Sequence, residues 1–186
     1  MIHITLPDGS VKEFEKNTTP MDVAKSISEG FARNVISANF NGTTIETATP
    51  LTTDGSLVLY TWNNDEGKKA FWHSSAHVLA QALEELYPGV KLTIGPAIEN
   101  GFYYDVDFGE HSISEKDFKA IEDKMLEIAR SKHEFKMRSA SKADALLLYK
   151  GNEFKTELIE NLEDGTITFC DHSTFTDLCR GGNIPN

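Results

Sequence analysis

Apolar and polar residues alternate from the start of the chain. In Met1-Ile2-His3-Ile4-Thr5-Leu6 the apolar positions fall two apart, the period of a strand with one buried face. Val11–Phe14 repeats the pattern after Pro7-Asp8-Gly9-Ser10, a turn signal, so the two runs predict a β-hairpin. Thr19-Pro20-Met21-Asp22 then supplies a capping hydroxyl, a proline at the first helical position and an acid at the third. A helix through Val23, Ala24 and Ile27 follows. Val35–Phe40 and Thr43–Glu46 read as strands joined at Asn41-Gly42, and Asp54-Gly55 turns the chain into a closing strand, Ser56–Thr61.

A hairpin, one helix and further strands in roughly sixty residues is the β-grasp, ubiquitin-like pattern, and residues 1–62 are expected to form that domain. Nothing in it clusters catalytic residue types, which suits a docking module. The polar stretch Asn63-Asn64-Asp65-Glu66-Gly67 marks the expected boundary. Residues 63–186 read as an α+β domain with a mainly antiparallel sheet and a central helix. That helix is carried by Phe71–Leu83 and has to stop before Pro88-Gly89. Lys91–Ile94 and Phe102–Asp107 are expected strands. Ser114-Glu115-Lys116-Asp117 is a capping box ahead of an amphipathic helix that places Phe118, Ile121, Met125 and Ile128 on one side. A strand over 133–138, short helices over 141–149 and 154–162, and a strand over 166–169 complete the expectation.

Composition narrows the classes. An apolar share of 39% and a charged share of 25% describe a globular chain, and no apolar run approaches membrane-spanning length. Two cysteines, Cys170 and Cys179, make no disulfide framework and point to a reducing, cytoplasmic setting. The net charge of −11 argues against gripping nucleic acid by counterion release alone.

Two stretches carry chemistry. On the central helix His73 and His77 are four apart and share a face, with Glu84 further along it, beside an apolar stripe of Trp72, Ala76, Leu79, Leu83 and Leu86. Such a pair manages protons or binds metal, but on its own it is more often the mark of ordinary surface or half-buried histidines. The second stretch, Asp177-Leu178-Cys179-Arg180-Gly181-Gly182, sets a thiol between an acid and two glycines that let backbone approach a ligand. A small buried cysteine in a turn is the plainer reading.

The order HSSAH at 73–77, IGPAIENGFYYDVDF at 94–108 and DLCRGG at 177–182 resembles the editing domain of bacterial-type threonyl-tRNA synthetases, and the β-grasp layout ahead of it resembles a TGS domain. The resemblance covers the whole chain. It departs from the family where the pattern CxxxH meets Asn183, and the chain ends at Asn186 without a catalytic core or an anticodon-binding domain, so the editing domain is expected to be truncated at its C-terminal end.

The resemblance implies a threonine–tRNA ligase whose editing site hydrolyses mischarged seryl-tRNA(Thr). A missing methyl is worth only about 1–3 kcal/mol of discrimination, so a second, hydrolytic pocket has a purpose. By match to the family, His73, His77, Lys155 and Cys179 are the implied catalytic residues, and Gly95, Tyr104, Asp177 and Asn183 the implied substrate-binding ones. Asp177 and Cys179 would hold the serine ammonium. The implied partner is the acceptor end of tRNA(Thr) carrying serine, without a membrane. No cofactor is expected in these residues; the parent enzyme would use ATP, Mg and a catalytic-core Zn, and would dimerise through other domains. Two alternatives remain open at this point: a non-catalytic module that binds the tRNA end, and a zinc-dependent hydrolase of the alanyl type built on His73, His77 and Cys179.

Overall fold

The computed structural model describes residues 1–186. Its architecture is α+β with mainly antiparallel sheets. By contacts the chain divides into two compact units: residues 1–71 with 181–185, and residues 72–180 with Asn186.

In the first unit β1 (Ile2–Thr5) and β2 (Val11–Phe14) form the expected hairpin, with Gly9 at φ +82 in its turn. The helix α1 (Pro20–Ile27) starts at Thr19, whose side chain and backbone exchange hydrogen bonds with Asp22 in a capping box. A one-turn helix follows, α2 (Glu29–Ala32), capped by Ser28. The strands β3 (Val35–Phe40), β4 (Thr43–Ile45) and β5 (Gly55–Thr61) complete a sheet of order β2-β1-β5-β3-β4, in which β5 runs parallel to β1. Ile2, Ile4, Val23, Ala38, Leu51 and Leu57 fill its core, as strand alternation and the inner face of α1 require.

The helix α3 (Asp65–Leu86) begins earlier than its apolar stripe suggests and absorbs most of the polar stretch before it. The Asn64 carbonyl accepts the Lys68 N–H, and Asp65 and Glu66 occupy the first turn, where acids favour the helix dipole. Both acids stay exposed. Gly67 is required here: a Cβ at this position would overlap the carbonyl oxygen of Thr61.

In the second unit β6 (Lys91–Leu92), β7 (Ala97–Ile98), β8 (Gly101–Phe102) and β9 (Val106–Asp107) form two small ribbons, β6 with β9 and β7 with β8. The expected strand over 102–107 is therefore interrupted at Tyr103–Asp105. The helix α4 (Glu115–Arg130) begins at Ser114, whose N–H donates to Asp117. Ile121 and Ile128 are buried, whereas Phe118 is 52% exposed, so the inward face is narrower than the sequence pattern. Next come β10 (Phe135–Ser139), α5 (Lys142–Leu148), α6 (Glu153–Glu160), β11 (Thr168–His172) and β12 (Phe175–Leu178). The last two strands and β10 make an antiparallel sheet, β10-β11-β12. The strand β12 is not among the elements expected from the sequence, and Cys179 lies just past its end. Its hairpin closes through Ser173 at φ 56 and Thr174, with no glycine or proline to announce it.

The tight fit at Gly67 gives a direct expectation. Gly67→Ala should destabilise the chain by about 1–3 kcal/mol despite its higher helix propensity, because the added methyl has to displace backbone. A urea-unfolding midpoint equal to that of the wild type would contradict the packing described.

Candidate active site

Three elements of the second unit converge on one polar cluster. The α3 helix presents His73 and His77 one turn apart, with ring centroids 4.6 Å apart at 77°. The strand β12 delivers Asp177 and, two residues on, Cys179; a period of two puts both on the same side. From α6, Lys155 reaches in, its ammonium 5.7 Å from each of the Tyr104 and Tyr149 ring centroids. All but His73, Tyr104 and Tyr149 are buried; Lys155 and Asp177 are each 2% exposed.

Asp177 is the hub. Its Oδ1 accepts from the Lys155 ammonium at 2.5 Å and the Leu178 N–H at 2.8 Å. Its Oδ2 accepts from the Tyr104 hydroxyl at 2.7 Å and meets His77 Nδ1 at 2.9 Å. A carboxylate offers about four acceptor positions, and all are taken. An incoming ammonium would reach Asp177 only by displacing one of these groups. Lys155 also donates to the Tyr104 hydroxyl at 3.1 Å. Gly95 makes this possible, since a Cβ there would overlap the Tyr104 ring.

The ionised Asp177 fixes the tautomer of His77: Nδ1 carries the proton and donates. His77 Nε2 then faces His73 Nε2 at 3.3 Å, and His73 Nε2 lies 3.2 Å from Cys179 Sγ. Two imidazole lone pairs do not face one another at that distance, so a proton lies between the rings or is shared with the thiol. Burial alone would push His77 down, but its bond to Asp177, aided by Cys179, carries it up to about 9. The Cys179 thiol is pulled well below its usual range by the neighbouring Cys170 thiol and, against its burial, by His73 and His77. Burial works to raise Asp177, and His77 and Lys155 override it to hold the carboxyl below its usual range. Burial and the charge on Asp177 both push the Tyr104 phenol up, keeping it a donor.

A cavity of about 390 Å³ opens onto Lys155 and Asp177 beside Glu84, Tyr149 and Thr176. The carboxyl of Glu84 is held above its usual range by partial burial and by Asp177. The metal-ligating atoms of His73, His77 and Cys179 lie within 4.8 Å of one another, a nitrogen and sulfur set whose chemistry suits a soft divalent ion.

Of the residues singled out by sequence, His73, His77, Tyr104, Lys155, Asp177 and Cys179 come together, with Gly95 beneath Tyr104. Asn183 is fully buried and groups with the first unit, where the N–H groups of Gly182 and Asn183 face the Glu46 carboxylate at 2.8 and 3.4 Å. Sequence reasoning missed Tyr149, whose hydroxyl donates to the Thr176 carbonyl, and Thr168, whose hydroxyl donates to the Cys179 carbonyl. It also missed Gln81, although Gln81 continues the four-residue spacing of His73 and His77.

Residues 2–61 match the family model described as TGS domain. Across its full length the chain is 76% identical to a threonine–tRNA ligase of Flavobacterium johnsoniae and 55% identical to one of Parabacteroides distasonis. The chain matches the amino-terminal region of bacterial threonine–tRNA ligases. It spans 29% of the length of these relatives. A relative from Flavobacterium psychrophilum, 75% identical, is covered to the same extent. No helix in the chain is long and apolar enough to cross a membrane.

The buried Lys155–Asp177 pair sets an energetic expectation. Lys155→Met strands a buried carboxylate and should cost about 3–5 kcal/mol, whereas Lys155→Met with Asp177→Asn should recover a large part of it. Because Asp177 is held below 3.8, its contribution is present above 3.8 and is lost as pH falls through its folded value. The stability gap between wild type and Asp177→Asn should therefore narrow in acid. Denaturant titrations at neutral and acid pH check both; a gap that widens in acid would contradict the sign.

Proposed function

We propose that the chain is the TGS and editing portion of a threonine–tRNA ligase and that its second unit hydrolyses seryl-tRNA(Thr). The observation that carries this reading is the hydrogen-bonded line Asp177–His77–His73–Cys179, anchored by Lys155 and Tyr104. His73 is the half-buried, accessible member of a line whose other members are buried. It is the group positioned to order a water and take its proton as the oxygen attacks the ester carbonyl. His77, its Nδ1–H held by Asp177, adjoins His73 through Nε2 and fixes the orientation of that ring. The same proton returns to the departing ribose oxygen, so water and ester become serine and a free tRNA end. Lys155 acts through charge, holding Asp177 ionised.

Charging tRNA with threonine, with ATP as co-substrate, belongs on this reading to the rest of the relatives' length. The setting is cytoplasmic translation, and most phosphate contacts come from outside this acidic chain. Hydrolysis is assigned to the side chains without a metal. The charged Asp177–His77 pair supplies the base with its partner, and Asn183, where the family pattern has histidine, is a poor ligand for closing a zinc site.

Seryl-tRNA deacylation by the 186-residue chain tests the proposal. His73→Ala should slow it by about 10²–10⁴-fold, and threonyl-tRNA should be hydrolysed far more slowly than seryl-tRNA by the wild type. EDTA should leave the wild-type rate unchanged; loss of rate with EDTA and recovery with zinc would establish the metal-dependent alternative. No hydrolysis above buffer would favour a tRNA-end-binding module. Asn183→His should raise the rate from a reduced but measurable value, since an amide hydrogen-bonds but cannot serve as a base. No detectable rate with Asn and full recovery with His would give position 183 a direct proton-transfer role.

A further inference from the structure

A third histidine, outside the cluster, touches the same helix face. Gln81 follows His77 by one turn of α3 and is 3% exposed. Its amide nitrogen donates to Glu85 Oε1 at 3.0 Å, and its Oε1 faces His172 Nδ1 at 2.8 Å. Glu85, when ionised, only accepts, so the amide is oriented with its oxygen toward His172, and His172 must carry its proton on Nδ1. His172 is itself buried at 3% exposure, and burial holds it below its usual range, neutral near pH 7.

The placement of His172 is set by sheet register. In the β11–β12 pair Cys170 lies opposite Asp177, and His172 is two residues along β11 from Cys170. Alternation puts Cys170, His172 and Asp177 on one face of the hairpin, the face that reaches α3. His172 stacks at 4.3 Å on Phe135, its direct cross-strand partner, and the Phe135 ring lies 6.4 Å from that of His77.

We propose that His172 is a positioning residue: with Asp177 it joins the histidine face of α3 to the β11–β12 hairpin at two points one helical turn apart. The His73–Cys179 contact and the packing of Ala80 on Phe175 also hold α3, but at His77 the polar tie to β12 is the Asp177 side chain. A second bond at Gln81, one turn on, limits local movement there and fixes the direction of the His77 imidazole toward His73. Phe135 backs both rings. The consequence for rate rests on the hydrolytic function proposed above; the consequence for the His77 ring does not.

The test is imidazole N–H detection by NMR on the full chain, alongside seryl-tRNA hydrolysis. Gln81→Met keeps side-chain length but accepts no hydrogen bond. It should remove the protected His172 N–H signal and speed exchange of the His77 Nδ1–H with water about tenfold or more. In the same variant kcat should fall about tenfold, with KM changed by less than about twofold. His172→Asn places an amide N–H where the ring Nδ1–H stood and should hold His77 exchange near the wild-type rate, whereas His172→Leu should not. Unchanged His77 exchange in Gln81→Met, or His172→Asn behaving like His172→Leu, would overturn the proposal. If His172→Leu fails to fold, Gln81→Met and His172→Asn still decide it. If the wild type hydrolyses nothing, the exchange measurements stand on their own and only the hydrolytic function falls.

Discussion

The second unit is arranged around a carboxylate with no spare acceptor. Asp177 sits at 2% exposure and is tied to Lys155, Tyr104, His77 and the Leu178 N–H. Burying a carboxylate is costly, by several kcal/mol even after relaxation, unless its lone pairs are met. That requirement explains why α6 must deliver a lysine into the interior and why residue 95 must be glycine so that Tyr104 can close over it. It also explains the state of His77, since a filled, ionised acceptor draws the Nδ1 proton and raises the affinity for a second one. The chemical character of the His73 end therefore derives from a group that need not touch a substrate.

Such a cluster is a poor device for stability alone. Replacing a buried ion pair by apolar side chains of similar shape is often neutral or favourable. What the charges provide instead is orientation. The hydrogen-bonded line from lysine to thiol holds the His73 ring with its Nε2 against His77 Nε2 and Cys179 Sγ. Lys155, held between two tyrosine rings, cannot swing away without stranding Asp177. For the ester hydrolysis proposed above, such a line would hold the base in place, where a small displacement is expensive.

Much of the first unit is written in local signals. Thr19 with Asp22, Asn41-Gly42 and the turn at Gly9 each set a boundary by their own chemistry, and the structure places elements there. The order of strands, with β5 between β1 and β3, has no local signature because it is settled by which apolar faces meet. The start of α3 was obscured because Asn64, Asp65 and Glu66 suit a loop and a helix first turn equally well. In the site, the spacing of His73 and His77 was legible, and family resemblance pointed to Asp177, Cys179, Tyr104 and Lys155. Gln81 with His172 and Tyr149 with Thr176 were not legible. They pair side chains or backbone across long sequence separations, and nothing in either partner's neighbourhood names the other.

The central claim is that Asp177 organises the proton-handling line rather than merely filling space. The most direct measurement is seryl-tRNA hydrolysis by the chain carrying Asp177→Asn with Lys155→Met, in which no buried charge is stranded. An amide in place of the carboxylate no longer stabilises a cationic His77 or enforces its Nδ1–H tautomer, and the rate should fall by about 10³–10⁴-fold in a folded protein. A folded double variant that hydrolyses seryl-tRNA at the wild-type rate would contradict the account.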